Sequence, residues 1–263
     1  METVLIFILV FLCVSSLGFS QHLNEKPSED ASIGQLLKYD GLTTWRSVKH
    51  AFTRPLYWKG DDYAKLGGLI GGTVVLSLAD EEFERYISRQ RDDFPTVVRD
   101  FGWYFGSPQN YFMANAGLYG FGLFTKNEKV RKTSVLIISS SITTGFIQTI
   151  TKNGIGRARP DAGLGSASFD PFSKQSRYHS FPYGHTILSM TMAHSIAKQF
   201  DNTWTKVGIY TLGAIPPISR LIDGAHWLTD IAFSAALSII VVDSIDKFLF
   251  ESESYDYPKK EKL

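Results

Sequence analysis

The stretch Thr133–Thr151, read in one-letter code as TSVLIISSSITTGFIQTIT, runs for nineteen residues without a charge. It is several times longer than an ordinary strand, and it shows no alternation bounded by turn residues, so it predicts a helix. Five further segments read the same way: Ala64–Ala79, Phe101–Phe124, Thr186–Phe200, Lys206–Leu221 and Trp227–Phe248. The expected fold is therefore all-α, a bundle of about six core helices over residues 63–250. Residues 21–62 are polar, with Pro27 and Pro55 and a short amphipathic helix near Ile33–Tyr39, and read as an extended lead-in. Residues 251–263 read as a charged tail.

The first twenty residues stand apart from this bundle. Val4–Val14 form an unbroken apolar run, and Gly18 and Ser20 place small residues three and one before a cut at Gln21. That is the pattern of a secretory signal peptide, although its start carries no Lys or Arg. The expected destination, across the inner membrane, is the periplasm or a cell-envelope membrane. Cys13, the sole cysteine, lies inside the apolar run with Phe11 and Leu12 before it, so it does not read as a lipid-acceptor site.

Composition excludes more than it assigns. The 27 Lys and Arg nearly balance 26 Asp and Glu, so no global field points to nucleic acid. Mean hydropathy is −0.05, low for a chain that crosses a membrane many times. Basic residues follow both the first and the second apolar segment (Arg85, Arg89 and Arg91, then Lys126, Lys129, Arg131 and Lys132), which gives no positive-inside asymmetry. A soluble bundle and an integral one both stay open, with membrane association the favoured side.

Immediately after Thr151 comes Lys152-x6-Arg159-Pro160, then Pro182-Tyr183-Gly184-His185, then Ser219-Arg220-x5-His226-x3-Asp230. Lys and Arg near helix ends can hold phosphate oxygens, although cations are expected there from the helix dipole alone. His226 and Asp230 are four apart, and on a helix they share a face. The carboxylate can then fix the imidazole tautomer and leave the other nitrogen as nucleophile or base. Such a pair also ligates metals, but too few further ligands lie nearby for a metal site. His185 opens a helix after a turn, where it can donate a proton to a leaving oxygen. His194 reads as a packed residue and His179 as a solvated one.

Each block has a bland explanation alone, but together they resemble the signature of the type 2 phosphatidic acid phosphatase (PAP2) superfamily, shared with class A acid phosphatases and vanadium haloperoxidases. That signature reads Lys-x6-Arg-Pro, Pro-Ser-Gly-His and Ser-Arg-x5-His-x3-Asp, and this chain departs from it only at Tyr183. The resemblance implies that Lys152, Arg159 and Arg220 hold the phosphate, with Ser219, Tyr183 and the Gly184 amide around it. It implies His226 as nucleophile, Asp230 as its orienting partner and His185 as acid, with no metal or other cofactor. The implied activity is a phosphatase acting on phosphomonoesters or diphosphates of a lipid, another amphiphile or a small molecule. A vanadium-dependent haloperoxidase and a catalytically weakened phosphate- or phospholipid-binding envelope protein are the alternatives. Tyr183 puts activity in question, because it moves the family's serine hydroxyl away and adds a ring, while keeping the backbone amide. Arg157 lies outside the signature and reads as an auxiliary contact.

Overall fold

The computed structural model describes residues 26–28 and 30–256, so the leader expected at residues 1–20 lies outside the described residues. Among the described residues there are nine α-helices and no strand. They are α1 Ile33–Thr53, α2 Gly60–Ser77, α3 Asp80–Arg89, α4 Thr96–Gly106, α5 Pro108–Phe124, α6 Glu128–Ile155, α7 Gly184–Ala197, α8 Thr203–Ile222 and α9 Leu228–Glu251.

The all-α reading agrees with the structure, and its boundaries change at three places. The segment expected as one helix over 101–124 is two, because Pro108 disfavours helix at Ser107. The Ser107 hydroxyl then accepts from the Asn110 amide and caps α5. The lead-in contains a full helix, α1, started by a capping box between Ser32 and Gln35. α1 buries Leu36, Tyr39 and Val48, so it belongs to the core. The third change is α3, a polar helix whose first turn holds Asp80, Glu81 and Glu82, where acidic groups complement the helix dipole.

α6, α7 and α9 form the centre. Val135 and Leu136 of α6 pack with Ile187 of α7 and with Val242, Ile245 and Leu249 of α9, and Tyr39 of α1 joins them. Several hydroxyls of α6 bond back one turn: Thr143 Oγ1 donates to the Ser139 carbonyl at 2.9 Å, and Thr144 Oγ1 to that of Ser140 at 2.7 Å.

One polar cluster ties the outer elements to this centre. Asp40 of α1 accepts from Arg131 Nε at 2.8 Å and Nη2 at 3.1 Å, from the Tyr119 hydroxyl at 2.9 Å and from the Tyr255 hydroxyl at 2.7 Å. The segment after α9 is thus fastened as far as Asp256, and Ser254 and Tyr255 are buried. Removing Asp40 leaves the Arg131 guanidinium buried without its partner. Asp40→Ala is expected to lower unfolding free energy by about 3–5 kcal/mol, read by chemical denaturation.

Candidate active site

Three chain reversals bring the three charged blocks together. α6 ends at Gly156, which adopts φ +59° and has the Asp170 carbonyl oxygen 1.9 Å from where a Cβ would stand, so only glycine fits. Lys152 sits in the last turn of α6, and the chain then runs through Arg157 and Arg159. That loop is held by Ala158 N–H to the Ser168 carbonyl at 2.9 Å and Arg159 N–H to the Arg177 carbonyl at 2.8 Å. Tyr183 precedes α7, with Gly184 and His185 in its first turn. Arg220 lies in the last turn of α8, and Gly224 at φ +63° reverses the chain toward His226.

His226 and Asp230 meet differently from a shared helix face. His226 lies just before the N-cap of α9, Trp227, while Asp230 lies inside its first turn and reaches back. Asp230 Oδ2 accepts from the Trp227 amide at 2.9 Å and from Ser180 Oγ at 2.5 Å, and stands 3.4 Å from His226 Nδ1. Its other oxygen, Oδ1, accepts from Arg157 Nη1 at 2.9 Å. With Nδ1 engaged by the carboxylate, Nε2 of His226 keeps the free lone pair. His226 is 3% exposed and Asp230 fully buried.

Three cations surround this pair. Lys152, Arg159 and Arg220 are half-buried, and Nε of both Arg159 and Arg220 is buried without a hydrogen-bond partner. A guanidinium nitrogen so placed needs an acceptor, and phosphate oxygens fit it. Arg220 also pairs through Nη2 with Asp223, which in turn accepts from Arg99 Nε at 2.8 Å. Arg220 lies over the Trp103 ring at 4.7 Å, and a cavity of about 230 Å³ beside it is lined by Thr96, Arg99, Asp100, Trp103, Arg220 and Asp223. Arg99, Trp103 and Asp223 were not legible as site residues, since none belongs to a spaced motif.

Burial holds both imidazoles neutral. The proton affinity of His226 falls to about 4, first through desolvation and then through Arg159 and Lys152, against the opposing pull of Asp230. His185 also falls to about 4, through desolvation first and then the charges of Arg220, His226, Lys152 and Arg159. An unfolded histidine titrates near 6.5, so below that pH the unfolded chain binds more protons than the fold. The stability this neutral state requires is intact above pH 6.5 and declines as pH falls toward 4. For His226 the loss is about 1.4 kcal/mol per pH unit. The unfolding midpoint is therefore expected to drop between pH 7 and pH 5, and His226→Gln to reduce that slope.

Tyr183 occupies the centre of the cluster. Its ring centroid lies 3.7 Å from that of His226 and 5.2 Å from that of His185, nearly parallel to the latter. Its hydroxyl is buried without a partner. Its backbone amide donates to Ser234 Oγ at 2.7 Å. The Ser219 hydroxyl donates to the Pro216 carbonyl at 2.9 Å, and its side chain fills the space against Gly102. His179 Nε2 lies 2.9 Å from the Ser173 carbonyl oxygen rather than being solvated, and His194 sits between Tyr210 and Asp243. Among the described residues no three His, Cys, Asp or Glu side chains group as metal ligands.

Comparison with known proteins finds similarity over part of the chain. A model described as the PAP2 superfamily matches residues 133–247. A lipid A 1-phosphatase of Porphyromonas gingivalis is 28% identical over 131 residues, covering 49% of this chain and 26% of that protein. One of Rhizobium johnstonii is 32% identical over 102 residues, covering 36% of this chain and 41% of that protein. The chain thus spans well under half the length of these curated relatives. The crystal structure of Aquifex aeolicus LpxE superposes with a TM-score of 0.47 at 20% identity, covering 64% of this chain and 94% of that one.

Proposed function

From residues 133–247 as PAP2 superfamily sequence, we propose that this chain is a phosphatase that removes phosphate from a phosphorylated lipid or similar amphiphile through a phosphohistidine at His226. The observation that carries this reading is the set of three cations around a buried histidine, two of them with an orphaned guanidinium nitrogen. Lys152, Arg159 and Arg220 hold the phosphate oxygens and stabilise the charge of transfer. His226 Nε2 attacks phosphorus, the bond to the leaving oxygen breaks, and His185 gives that oxygen a proton. Water then attacks the phosphohistidine, loses its proton to His185 and releases phosphate. Burial first, and then the neighbouring cations, lower the proton affinity of His185; a phosphate dianion offsets the cations and so raises it when substrate binds.

A lipid substrate draws support from two sources. The curated relatives carry the name lipid A 1-phosphatase. The surface also exposes apolar faces: α2 buries nothing and presents Ile70, Val74 and Val75, and α6 presents Ile142, Phe146 and Ile150 at four-residue intervals. α6 and α9 are long and apolar enough to cross a membrane, and both also serve as core helices. The proposed place is a membrane of the cell envelope, in line with the leader pattern at residues 1–20. A second reading, a weakened binding protein, is favoured only by the Tyr183 ring against His226.

Purified chain in detergent is expected to release phosphate from phosphatidic acid in mixed micelles at least about tenfold faster, per kcat/KM, than from p-nitrophenyl phosphate, because apolar contacts add binding energy. Vanadate is expected to inhibit both reactions. Halogenation of a dye with added vanadate, in place of inhibition, would move the assignment to the peroxidase branch. Absence of phosphate release from either substrate would favour the binding-protein reading.

A further inference from the structure

Behind His226 lies a second buried set that the signature does not contain. Arg157 Nη1 donates to Thr229 Oγ1 at 2.6 Å and to Asp230 Oδ1 at 2.9 Å, while its Nη2 donates to Asp80 Oδ2 at 2.6 Å. Asp80 also accepts from the Thr229 amide at 2.9 Å and from Thr229 Oγ1 at 2.5 Å. Arg157 is 4% exposed, and Asp80, Thr229 and Asp230 are fully buried. We propose that Asp80 and Arg157, with Ser180, form a positioning set that fixes Asp230 and through it orients His226 for phosphoryl transfer.

A purely structural origin is hard to sustain for this set. A buried ion pair adds little net stability, since desolvation offsets most of the attraction. Here two carboxylates and one guanidinium are enclosed together, carrying a net single negative charge. That charge is matched when the imidazole of His226 becomes positive, which is the state formed as it attacks phosphorus. Arg157 is suited to the task because its planar fork bridges two carboxylates at fixed angles. It joins three separate parts of the chain: the start of α3, the loop after α6 and the start of α9. The charged groups that bear on His226 are therefore Asp230 of α9, Lys152 of α6, Arg157 and Arg159 of the loop, His185 of α7 and Arg220 of α8. Asp80 of α3 acts through Arg157.

The proposal rests on the phosphatase reading, and a titration that needs no turnover separates the two. Full-length chain in detergent, labelled at histidine, gives the protonation midpoint of His226 by NMR, with His226→Gln identifying its signal. Arg157→Gln removes a cation and is expected to raise that midpoint by about one unit or more. Asp80→Asn removes an anion and is expected to shift it the other way, so that the signal stays neutral to lower pH. The acid limb of kcat/KM for p-nitrophenyl phosphate should follow in the same two directions. Ser180→Ala changes no charge and loses one bond to Oδ2; kcat is expected to fall about tenfold with KM within twofold. Arg157→Lys should restore the midpoint without restoring kcat. A midpoint that stays put, or moves the same way, in the Gln and Asn variants would overturn the proposal. If neither of these folds, Ser180→Ala decides: an unchanged kcat contradicts the positioning role. If unaltered chain releases no phosphate, the phosphatase reading fails, while the titration still decides whether this set controls His226.

Discussion

His226→Ala is expected to lower phosphate release by at least about 1,000-fold, because a chain that works through a covalent intermediate loses its nucleophile outright. The fold should survive the change. Without the imidazole, Asp230 still accepts from Ser180, the Trp227 amide and Arg157, so no buried charge is orphaned. A cooperative unfolding transition near that of the unaltered chain would confirm that the loss is chemical. Residual activity belongs to Lys152, Arg159 and Arg220, which can still bind phosphate and stabilise attack by water. Unchanged hydrolysis in the variant would remove His226 from the mechanism.

Tyr183→Ser carries the second large effect, in the opposite direction. The ring packs on His226 at a centroid distance of 3.7 Å and fills the space beside its imidazole. Serine clears that space and offers a hydroxyl near the phosphate; a hydrogen bond to a charged group contributes about 1.5–3 kcal/mol. A rise in kcat/KM of about tenfold or more is therefore expected for p-nitrophenyl phosphate. Tyr183→Phe provides the control. It keeps the ring and removes a buried hydroxyl that has no partner, so it should raise stability and leave turnover low. Equal activity of the Ser variant and the unaltered chain would show that the ring is no obstacle.

The helical class and the main segments were legible because long uncharged runs such as Thr133–Thr151 admit few other structures. Three features escaped. α1 looked polar because it packs through a narrow apolar stripe and a buried Asp40, whose partner Arg131 lies far along the chain. α3 is short and mostly charged, and nothing local marks Asp80 as buried. Ser107-Pro108 divides a run that apolar content alone joins. For the site, the spaced motifs identified the side chains that the structure gathers, but helical spacing misread how His226 meets Asp230. The carboxylate comes from the first turn of α9 and caps its own helix while holding the histidine outside it. Arg157 was visible only as an extra basic residue, since its partner Asp80 lies 77 positions away.

The central claim is that phosphate passes through His226. The measurement that tests it most directly is a rapid alkaline quench during turnover of p-nitrophenyl phosphate, followed by mass spectrometry of the peptides. The predicted result is a phosphoryl group on the peptide carrying His226, absent when His226 is Ala. Phosphate release with the phosphoryl group found on His185 instead, or on no histidine under conditions that preserve phosphohistidine, would contradict it.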